Sequence, residues 1–441
     1  MRRGVPRLAV AASLCMCVIA WLFPALASAR VPRAHASASA PLGGVTVGGL
    51  GYGSPPSQAD SEIALANRLG AKVVRLEVPW SVMEPLEAGR VEPGALAFTD
   101  RLVADAAADG IKVVMLVENT PCWASSAPAA ILARCVPGRS ATANSWPPRE
   151  PSAYASFVAY LAQRYGTQLL AIEIWNEPDQ ANELYFAGPE KAARYTALLR
   201  AAYPAIKQAN PGVLVLGGSI VGVNGKFLRL LYQDGIKGYY DGLAVHFYTL
   251  TVAALRYTHE IQLANGDTTR LWLDEFGFSS CWPKRKIEEE QGCVTKTTQA
   301  SNLVNMFHQF SRLPYVAAAI VYKLQDSPGE EFGAFTTSGA RKPSFTALSR
   351  VFASPFGAVS PVTLKLRRQG KRVLAGGSGP PGDYLQLEAF RGTVLRYRSV
   401  FVLNRFNRYS IHLPSVLGTS GLRVRVFQYQ SNPAHAAQRS I

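Results

Sequence analysis

The stretch Gly166–Asp179, GTQLLAIEIWNEPD, decides how this chain reads. Upstream of it, Tyr154, Phe157, Val158, Leu161 and Tyr165 recur at helical spacing, and Gly166 ends that helix. Ala171–Glu177 then runs as a continuous apolar strand that terminates in Trp175-Asn176-Glu177-Pro178. Beyond it a second helix opens at Pro189 and continues to Asn210, where Pro211 breaks it. A strand this rich in Ile and Leu is covered on both faces, and the helices on either side supply the cover. The segment is one unit of an alternating β/α chain.

Working outward, the same unit recurs. Candidate strands lie at Val45–Tyr52, Lys72–Trp80, Lys112–Asn119, Ala171–Glu177, Val213–Ile220, Gly242–Tyr248, Arg270–Phe276 and Val316–Leu324. Among the helices between them, Thr99 reads as the cap of one over Asp100–Asp109, stopped by Gly110. Leu303, Val304, Phe307 and Leu313 mark another apolar stripe. Eight such units predict an α/β fold of the (β/α)8 TIM-barrel type over residues 45–358. A doubly wound open sheet is the rival, but no GxGxxG follows the first strand.

Near Ala358 the pattern changes. Short alternating runs at Thr363–Leu366, Tyr384–Phe390, Val394–Leu403, Tyr409–Leu413 and Leu422–Tyr429 are separated by Gly-Pro clusters such as Gly376–Gly382. They predict a small antiparallel β-sandwich module over 359–430, followed by a tail at 431–441.

The other end reads as an address. Arg2, Arg3 and Arg7 precede an apolar run from Leu8 to Phe23, and Ala27-Ser28-Ala29 supplies small residues for cleavage. This is the layout of a secretory signal peptide over 1–29, with an uncleaved membrane anchor as the rival. Residues 30–44 read as a flexible lead-in. The expected location is therefore extracellular, with cell-wall or membrane association left open. Export puts Cys122, Cys135, Cys281 and Cys293 in an oxidising compartment, so two disulfides are expected. Four cysteines allow three connectivities, and the local one pairs Cys122 with Cys135 and Cys281 with Cys293. Zinc is the rival for these thiols, and no CxxC spacing supports it.

The formal net charge is +16, which points first to an anionic partner. Its distribution alters that reading. Residues 359–441 hold 13 basic and 2 acidic residues, whereas the barrel segment is close to neutral. In strands, alternation puts Arg396 with Arg398, and Arg423 with Arg425, on common faces. Together with Lys365-Leu366-Arg367-Arg368, they form either a patch for an anionic wall polymer or acidic glycan, or a solvated face that guards edge strands. No nucleic-acid-binding signature is present, so nucleic acid is not an expected partner.

In a barrel of this kind, chemistry occurs at the C-terminal ends of the strands. The fourth strand ends in Glu177 and the seventh in Leu273-Asp274-Glu275-Phe276-Gly277. One Glu alone reads as an ordinary loop charge. Two, on strand ends across a barrel mouth, suit glycoside cleavage, which needs one carboxylic acid and one carboxylate.

Ile174-Trp175-Asn176-Glu177-Pro178 resembles the fourth-strand signature of the retaining glycosidases of clan A. Leu273-Asp274-Glu275-Phe276-Gly277 is similar to that clan's seventh-strand nucleophile motif. Val74-Arg75-Leu76 with Trp80 resembles glycoside hydrolase family 5, and Thr120-Pro121-Cys122-Trp123-Ala124 with Trp146–Gly166 looks more like family 39. The resemblance covers roughly residues 45–350 and implies a retaining O-glycosyl hydrolase, acting on an oligo- or polysaccharide, with no metal and no cofactor. It makes Glu177 the general acid and then base, which requires a raised pKa, and Glu275 the nucleophile, which must stay ionised. Arg75 would hold Glu275 charged, and Asn176 would hydrogen-bond the sugar 2-hydroxyl. It also implies that Tyr248 donates to Glu275 and that His246 orients nearby groups. Glu173 shares the parity of Glu177 and reads as a structural partner, with Arg75 as its candidate mate.

Trp123, Trp146 and Trp282 fall in loops on the catalytic side, either as sugar platforms or as loop packing. Many clan members carry a Trp at the end of strand eight. Here the segment is Ile320-Val321-Tyr322-Lys323-Leu324-Gln325-Asp326, so Tyr322 is the expected substitute, and Lys323 or Asp326 the candidates to face the cleft. The alternatives to a monomeric enzyme are a non-catalytic carbohydrate-binding protein on the same scaffold and a wall-associated protein that works through the basic module.

Overall fold

The computed structural model describes residues 40–441, except residues 50, 52, 223, 249–251, 284–292, 382–383, 405, 430–432 and 434–435. The signal expected at 1–29 and residues 30–39 of the lead-in lie outside the described residues. Eight parallel strands close into a barrel: β1 (Leu42–Thr46), β2 (Val73–Pro79), β3 (Lys112–Glu118), β4 (Leu169–Ile174), β5 (Leu214–Val221), β6 (Gly242–His246), β7 (Arg270–Phe276) and β8 (Val316–Val321). Each is followed by a covering helix: α1 (Pro56–Leu69), α2 (Pro93–Ala108), α3 (Pro151–Tyr165), α4 (Lys191–Ala209), α5 (Gly225–Gln233), α6 (Val252–Ala264), α7 (Lys296–Phe310) and α8 (Pro343–Ala353).

Among the boundaries that differ from expectation, two have a plain physical reason. β1 starts at Leu42, inside the segment read as a lead-in, and ends at Thr46. Its two glycines hid it from a β-propensity reading. They are there because a Cβ on Gly44 would lie 2.6 Å from the Val73 carbonyl oxygen, and one on Gly43 2.5 Å from the Phe352 ring. Helix α2 begins at Pro93, not at Asp100. The Glu92 side chain caps it by accepting from the Ala95 N–H at 2.6 Å. Thr99 sits inside the helix and donates to the Ala95 carbonyl at 2.9 Å.

Side-chain alternation fills the barrel in layers. Val73, Val114, Ala171, Leu216, Ala244, Trp272, Ala318 and Ile320 form an apolar plug. Two residues further along their strands, Arg75, Glu173 and His246 make a polar layer above it. Two strands break the alternation. Between Gly217↔Leu243 and Ile220↔Val245, β5 advances three residues while β6 advances two. Between Ala244↔Trp272 and His246↔Glu275, β7 likewise gains one residue on β6, and it does the same against β8. These are one-residue bulges, which re-aim side chains next to sites. In β5 the bulge runs through Gly218 (φ +109°) and Ser219 (φ +43°). Only glycine fits at 218, since a Cβ would stand 2.8 Å from the Ala244 carbonyl oxygen in a left-handed conformation.

The C-terminal region forms two antiparallel sheets. One has the order β13–β10–β9, made of β9 (Lys365–Gln369), β10 (Arg372–Ser378) and β13 (Arg408–His412). The other has the order β12–β11–β14–β15, made of β11 (Tyr384–Arg391), β12 (Val394–Val402), β14 (Leu422–Gln428) and β15 (Ala437–Ser440). Leu364, Val373, Ala375, Leu385, Leu387, Tyr409, Val424 and Val426 pack between them. Strands β10 and β15 were not expected. The Gly376-Gly377 pair made β10 read as a separator, and polar Ala437-Gln438-Arg439-Ser440 read as part of a tail. Pairing of Val424 with Arg439 and Val426 with Ala437 makes that tail the edge of the sheet. The module meets the barrel through Asn407 Nδ2, which donates to Asn302 Oδ1 at 2.6 Å, and Gln309 Nε2, which donates to the Pro381 carbonyl at 3.2 Å.

Candidate active site

Three acidic side chains from β4 and β7, and one amide from the segment after β4, converge on one guanidinium. Arg75, in β2, is 2% exposed. Its Nε and Nη2 donate to the two Glu173 carboxylate oxygens at 2.8 and 2.7 Å, a bidentate pair. Its Nη1 donates to Glu275 Oε1 at 2.7 Å, and its Nη2 also reaches Asn176 Oδ1 at 3.3 Å. Asp274 Oδ2 lies 3.7 Å from the same nitrogen. The other Glu275 oxygen accepts from the Tyr248 hydroxyl at 2.8 Å. Glu275 is thus held on both oxygens, by a cation on one and a phenol on the other.

His246 links the remaining carboxylates. Its Nδ1 is 2.7 Å from Glu177 Oε1 and 3.4 Å from Glu275 Oε2, and its Nε2 is 3.2 Å from Asp274 Oδ2. Burial favours the neutral ring, but the carboxylates of Glu275 and Asp274 outweigh it and hold His246 protonated, well above its ordinary range. Both ring nitrogens then carry protons, which suits an imidazolium set among three acids. Asp274 is fully buried; burial opposes its ionisation, yet His246 and Arg75 bring it down to about 2. Glu173 goes the other way: burial lifts it to about 7 despite the contact with Arg75.

The strand end that carries Glu177 is sharply turned. Trp175 and Glu177 both have left-handed backbones, at φ +67° and +43°. Such residues cost about 1–3 kcal/mol each and persist only where their surroundings hold them. Here the Trp175 indole is fully buried, edge-on to Phe186 at 5.4 Å, and its Nε1 donates to the Tyr185 carbonyl at 2.9 Å. Glu177 is tied at its carboxylate to His246 and to the Gln180 amide. Asp179, just beyond, accepts from the Val221 N–H at 3.0 Å and Asn224 Nδ2 at 2.9 Å.

The tertiary fold therefore gathers Glu177, Glu275, Arg75, Asn176, His246 and Tyr248 into one cluster. Tyr322 joins it indirectly, its ring edge-on to Tyr248 at 6.2 Å and its hydroxyl 3.3 Å from both Glu330 oxygens. Lys323 donates to Glu330, and Asp326 is taken up by Lys342 at 2.8 Å. The three tryptophans have other ring partners. Trp123 packs on Trp80 at 5.3 Å and donates to the Glu84 carbonyl, Trp146 lies against Arg194 at 6.0 Å, and Trp282 meets Phe406 of the C-terminal module at 5.9 Å. Disulfides join Cys122 to Cys135 and Cys281 to Cys293 in the segments after β3 and β7.

Sequence reasoning missed Asp274, Ser219 and the Glu77–Glu118 pair. Strict alternation turns Asp274 away from Glu275 in β7, and the bulge turns it back. The β5 bulge does the same for Ser219, whose Oγ donates to Glu173 Oε1 at 2.5 Å and lies 3.3 Å from Asp274 Oδ2. Glu118, at the end of β3, is pushed well up by burial and by neighbouring Glu77. Parity was the available signal there, since Glu77 follows Arg75 by two residues. Donor atoms of Glu173, His246 and Asp274, and of Glu177, His246 and Glu275, lie within 4.8 Å of one another, the spacing of a metal site. Those same oxygens already accept hydrogens from Arg75, Tyr248, Ser219 and His246.

A closed (β/α)8 barrel with acids at the ends of β4 and β7 is the class to which the glycoside hydrolases of clan A belong. Residues 37–313 match the family model described as Cellulase (glycosyl hydrolase family 5), and the chain belongs to that family. Over 53 residues it is 43% identical to 6-phospho-beta-galactosidase of Lacticaseibacillus casei (strain BL23), a match that spans 12% of this chain and 11% of that protein. Among solved structures it is similar to a family 39 glycoside hydrolase from Bacteroides cellulosilyticus WH2, with a TM-score of 0.55 and 17% identity over 87% of this chain and 80% of that one. It is also similar to the endo-beta-1,4-mannanase from Thermotoga petrophila, with a TM-score of 0.52 and 13% identity over 91% and 97% of the two chains. At these identities the structural likeness shows the fold alone.

Proposed function

We propose that the protein is an exported retaining glycoside hydrolase that cleaves O-glycosidic bonds of an oligo- or polysaccharide by double displacement. The observation that carries this reading is the placement of Glu177 and Glu275: an oxygen of one lies within 4.8 Å of an oxygen of the other. Retaining enzymes need about 5–5.5 Å between the carboxyl groups, whereas inverting ones leave about 6.5–9.5 Å for a water.

Each step has a group for it. Glu275, held on its two oxygens by Arg75 and Tyr248, attacks the anomeric carbon. As the glycosidic C–O bond breaks, Glu177 gives its proton to the departing oxygen. Glu177, now a carboxylate, takes a proton from water. That water oxygen attacks the anomeric carbon, and the bond to Glu275 breaks, restoring both carboxyl groups. Two inversions leave the anomeric configuration unchanged. Asn176, whose Oδ1 is oriented by Arg75, donates through its Nδ2 to the 2-hydroxyl, a contact that strengthens in the transition state. His246 keeps Glu177, Asp274 and Glu275 in register without reacting. The amino-terminal signal pattern supports export.

The test is turnover of a panel of aryl glycosides and polysaccharides, with proton NMR of the first-formed anomer. Glu275→Gln should lose turnover on the order of 10⁴-fold. Product of inverted configuration, or full turnover in that variant, would defeat the mechanism. Tight binding without turnover of any substrate would favour a carbohydrate-binding role instead.

A further inference from the structure

The basic residues of the C-terminal module divide into two sets that the sequence does not separate. On the β12–β11–β14 sheet three arginines are already engaged. Arg398 and Arg425 pair with the two oxygens of Glu388 at 3.0 and 2.6 Å, and Glu388 is 3% exposed. Arg423 and Arg425 lie over the Phe390 ring at 4.9 and 5.0 Å. These arginines build the sheet.

The β13–β10–β9 face differs. Alternation puts Lys365 and Arg367 on the same side as Leu374, Gly376, Ser378 and Arg408, because Lys365 pairs with Gly376, Arg367 with Leu374 and Arg408 with Ser378. The opposite side carries Val373, Ala375 and Tyr409, which face the core. Gly376 has no side chain to fill the middle, and a cavity of about 330 Å³ opens there, bordered by the hydroxyls of Thr363 and Ser378. All three cations are exposed, and none makes an ion pair among the described residues. Lys365 and Arg367 are spaced about 7 Å along one strand, and Arg408 lies two strand spacings across and two residues further along, about 12 Å from Lys365. One small anion does not span that triangle, whereas a chain with repeated charges does.

We propose that this groove binds an acidic polysaccharide whose sugar carboxylates meet Lys365, Arg367 and Arg408, while Thr363, Ser378 and the floor at Gly376 take its hydroxyls and ring face. The ligand class rests on the glycoside hydrolase reading of the barrel: a uronate-bearing chain can be gripped by the module and still present glycosidic bonds to the site. Arg guanidinium groups match carboxylates two bonds at a time.

The full chain is titrated with polygalacturonate, poly(glycerol phosphate), a neutral β-glucan and single-stranded DNA, at low and high salt. Polygalacturonate should bind best, and its affinity should fall steeply as salt is raised. Lys365→Gln/Arg367→Gln/Arg408→Gln should weaken it on the order of 10-fold or more. Lys371→Gln/Arg396→Gln/Arg439→Gln removes the same charge outside the groove and should leave affinity within about 2-fold. Gly376→Leu keeps every charge but fills the floor, and should also weaken binding; a Cβ there meets its nearest neighbour, the Tyr409 carbonyl oxygen, at 3.5 Å, so the fold tolerates it. Melting midpoints report folding of each variant. Equal losses from both triples, or preference for the phosphate polymer or DNA, would overturn the proposal. Uronate binding without any turnover would break the hydrolase reading and leave the groove standing; turnover with an unaffected groove triple would break the groove alone.

Discussion

Arg75 and Arg408 are the same side chain in opposite settings. Arg75 is 2% exposed, and its nitrogens meet Glu173, Glu275 and Asn176. Arg408 stands on an exposed sheet face beside Lys365 and Arg367. A buried charge without partners costs several kcal/mol, so the barrel interior surrounds its cation with acids. An exposed charge keeps its water, so the sandwich can leave its cations open for a ligand. Glu388 is the intermediate case, a buried acid answered from the rim by Arg398 and Arg425.

Removing the buried cation should have the largest effect. Arg75→Leu leaves Glu173, Asp274 and Glu275 without it, and unfolding in urea should show a loss of about 3–5 kcal/mol. An unchanged midpoint would mean that the cluster is not held as a charge network. Next comes the backbone that brings Ser219 and Asp274 into it. Gly218→Ala puts a Cβ against the Ala244 carbonyl oxygen at a positive φ, and should cost about 1–3 kcal/mol in thermal or urea unfolding. A neutral result would show that β5 can relax.

The pH dependence should follow from the acids that burial pushes up. Glu62, under the β1–α1 connection, is lifted to about 7 by burial, against the opposing bonds from Gln58 and Gly48. Glu173 is lifted to about 7 as well. A carboxyl raised on folding holds its proton more tightly when folded. Its contribution is therefore whole below the ordinary value of 4.5 and lost as pH climbs through about 7. The melting midpoint should fall between about pH 5 and pH 8, and Glu62→Gln should flatten part of that fall, with a gain on the order of 1 kcal/mol at the alkaline end. Asp274, brought down to about 2, acts with the opposite sign, its contribution being lost as pH drops below 3.8. The smallest effect belongs to the sandwich rim. Arg398→Gln should cost under about 1 kcal/mol, because Arg398 is 59% exposed and Arg425 remains on Glu388. A larger loss there than at Gly218 would reverse the contrast between the two regions.

Much of the barrel was legible because a parallel strand covered on both faces has a distinct composition. β3 and β7 fell within a residue of expectation for that reason. The strands that escaped notice, β10 and β15, are glycine-rich in one case and short and polar in the other, so period-two alternation has little to act on. Within the site, Glu177, Glu275, Arg75, His246 and Tyr248 were legible from strand ends and family resemblance. Trp123, Trp146 and Trp282 were legible only as loop aromatics, and their ring partners proved to be Trp80, Arg194 and Phe406.

By itself, the sequence determined the eightfold repeat, the two strand-end acids and the place where positive charge collects. Those are local properties: composition, period and position along a strand. Which acids touch, and which cations stay open, was decided by tertiary structure. Bulges in β5 and β7 rotate Ser219 and Asp274 into the cluster, against the parity that their neighbours obey. Glu388 takes up two arginines from one sheet, while Gly376 leaves a cavity beneath three cations on the other. Register and burial are relations between distant segments, and no local pattern carries them.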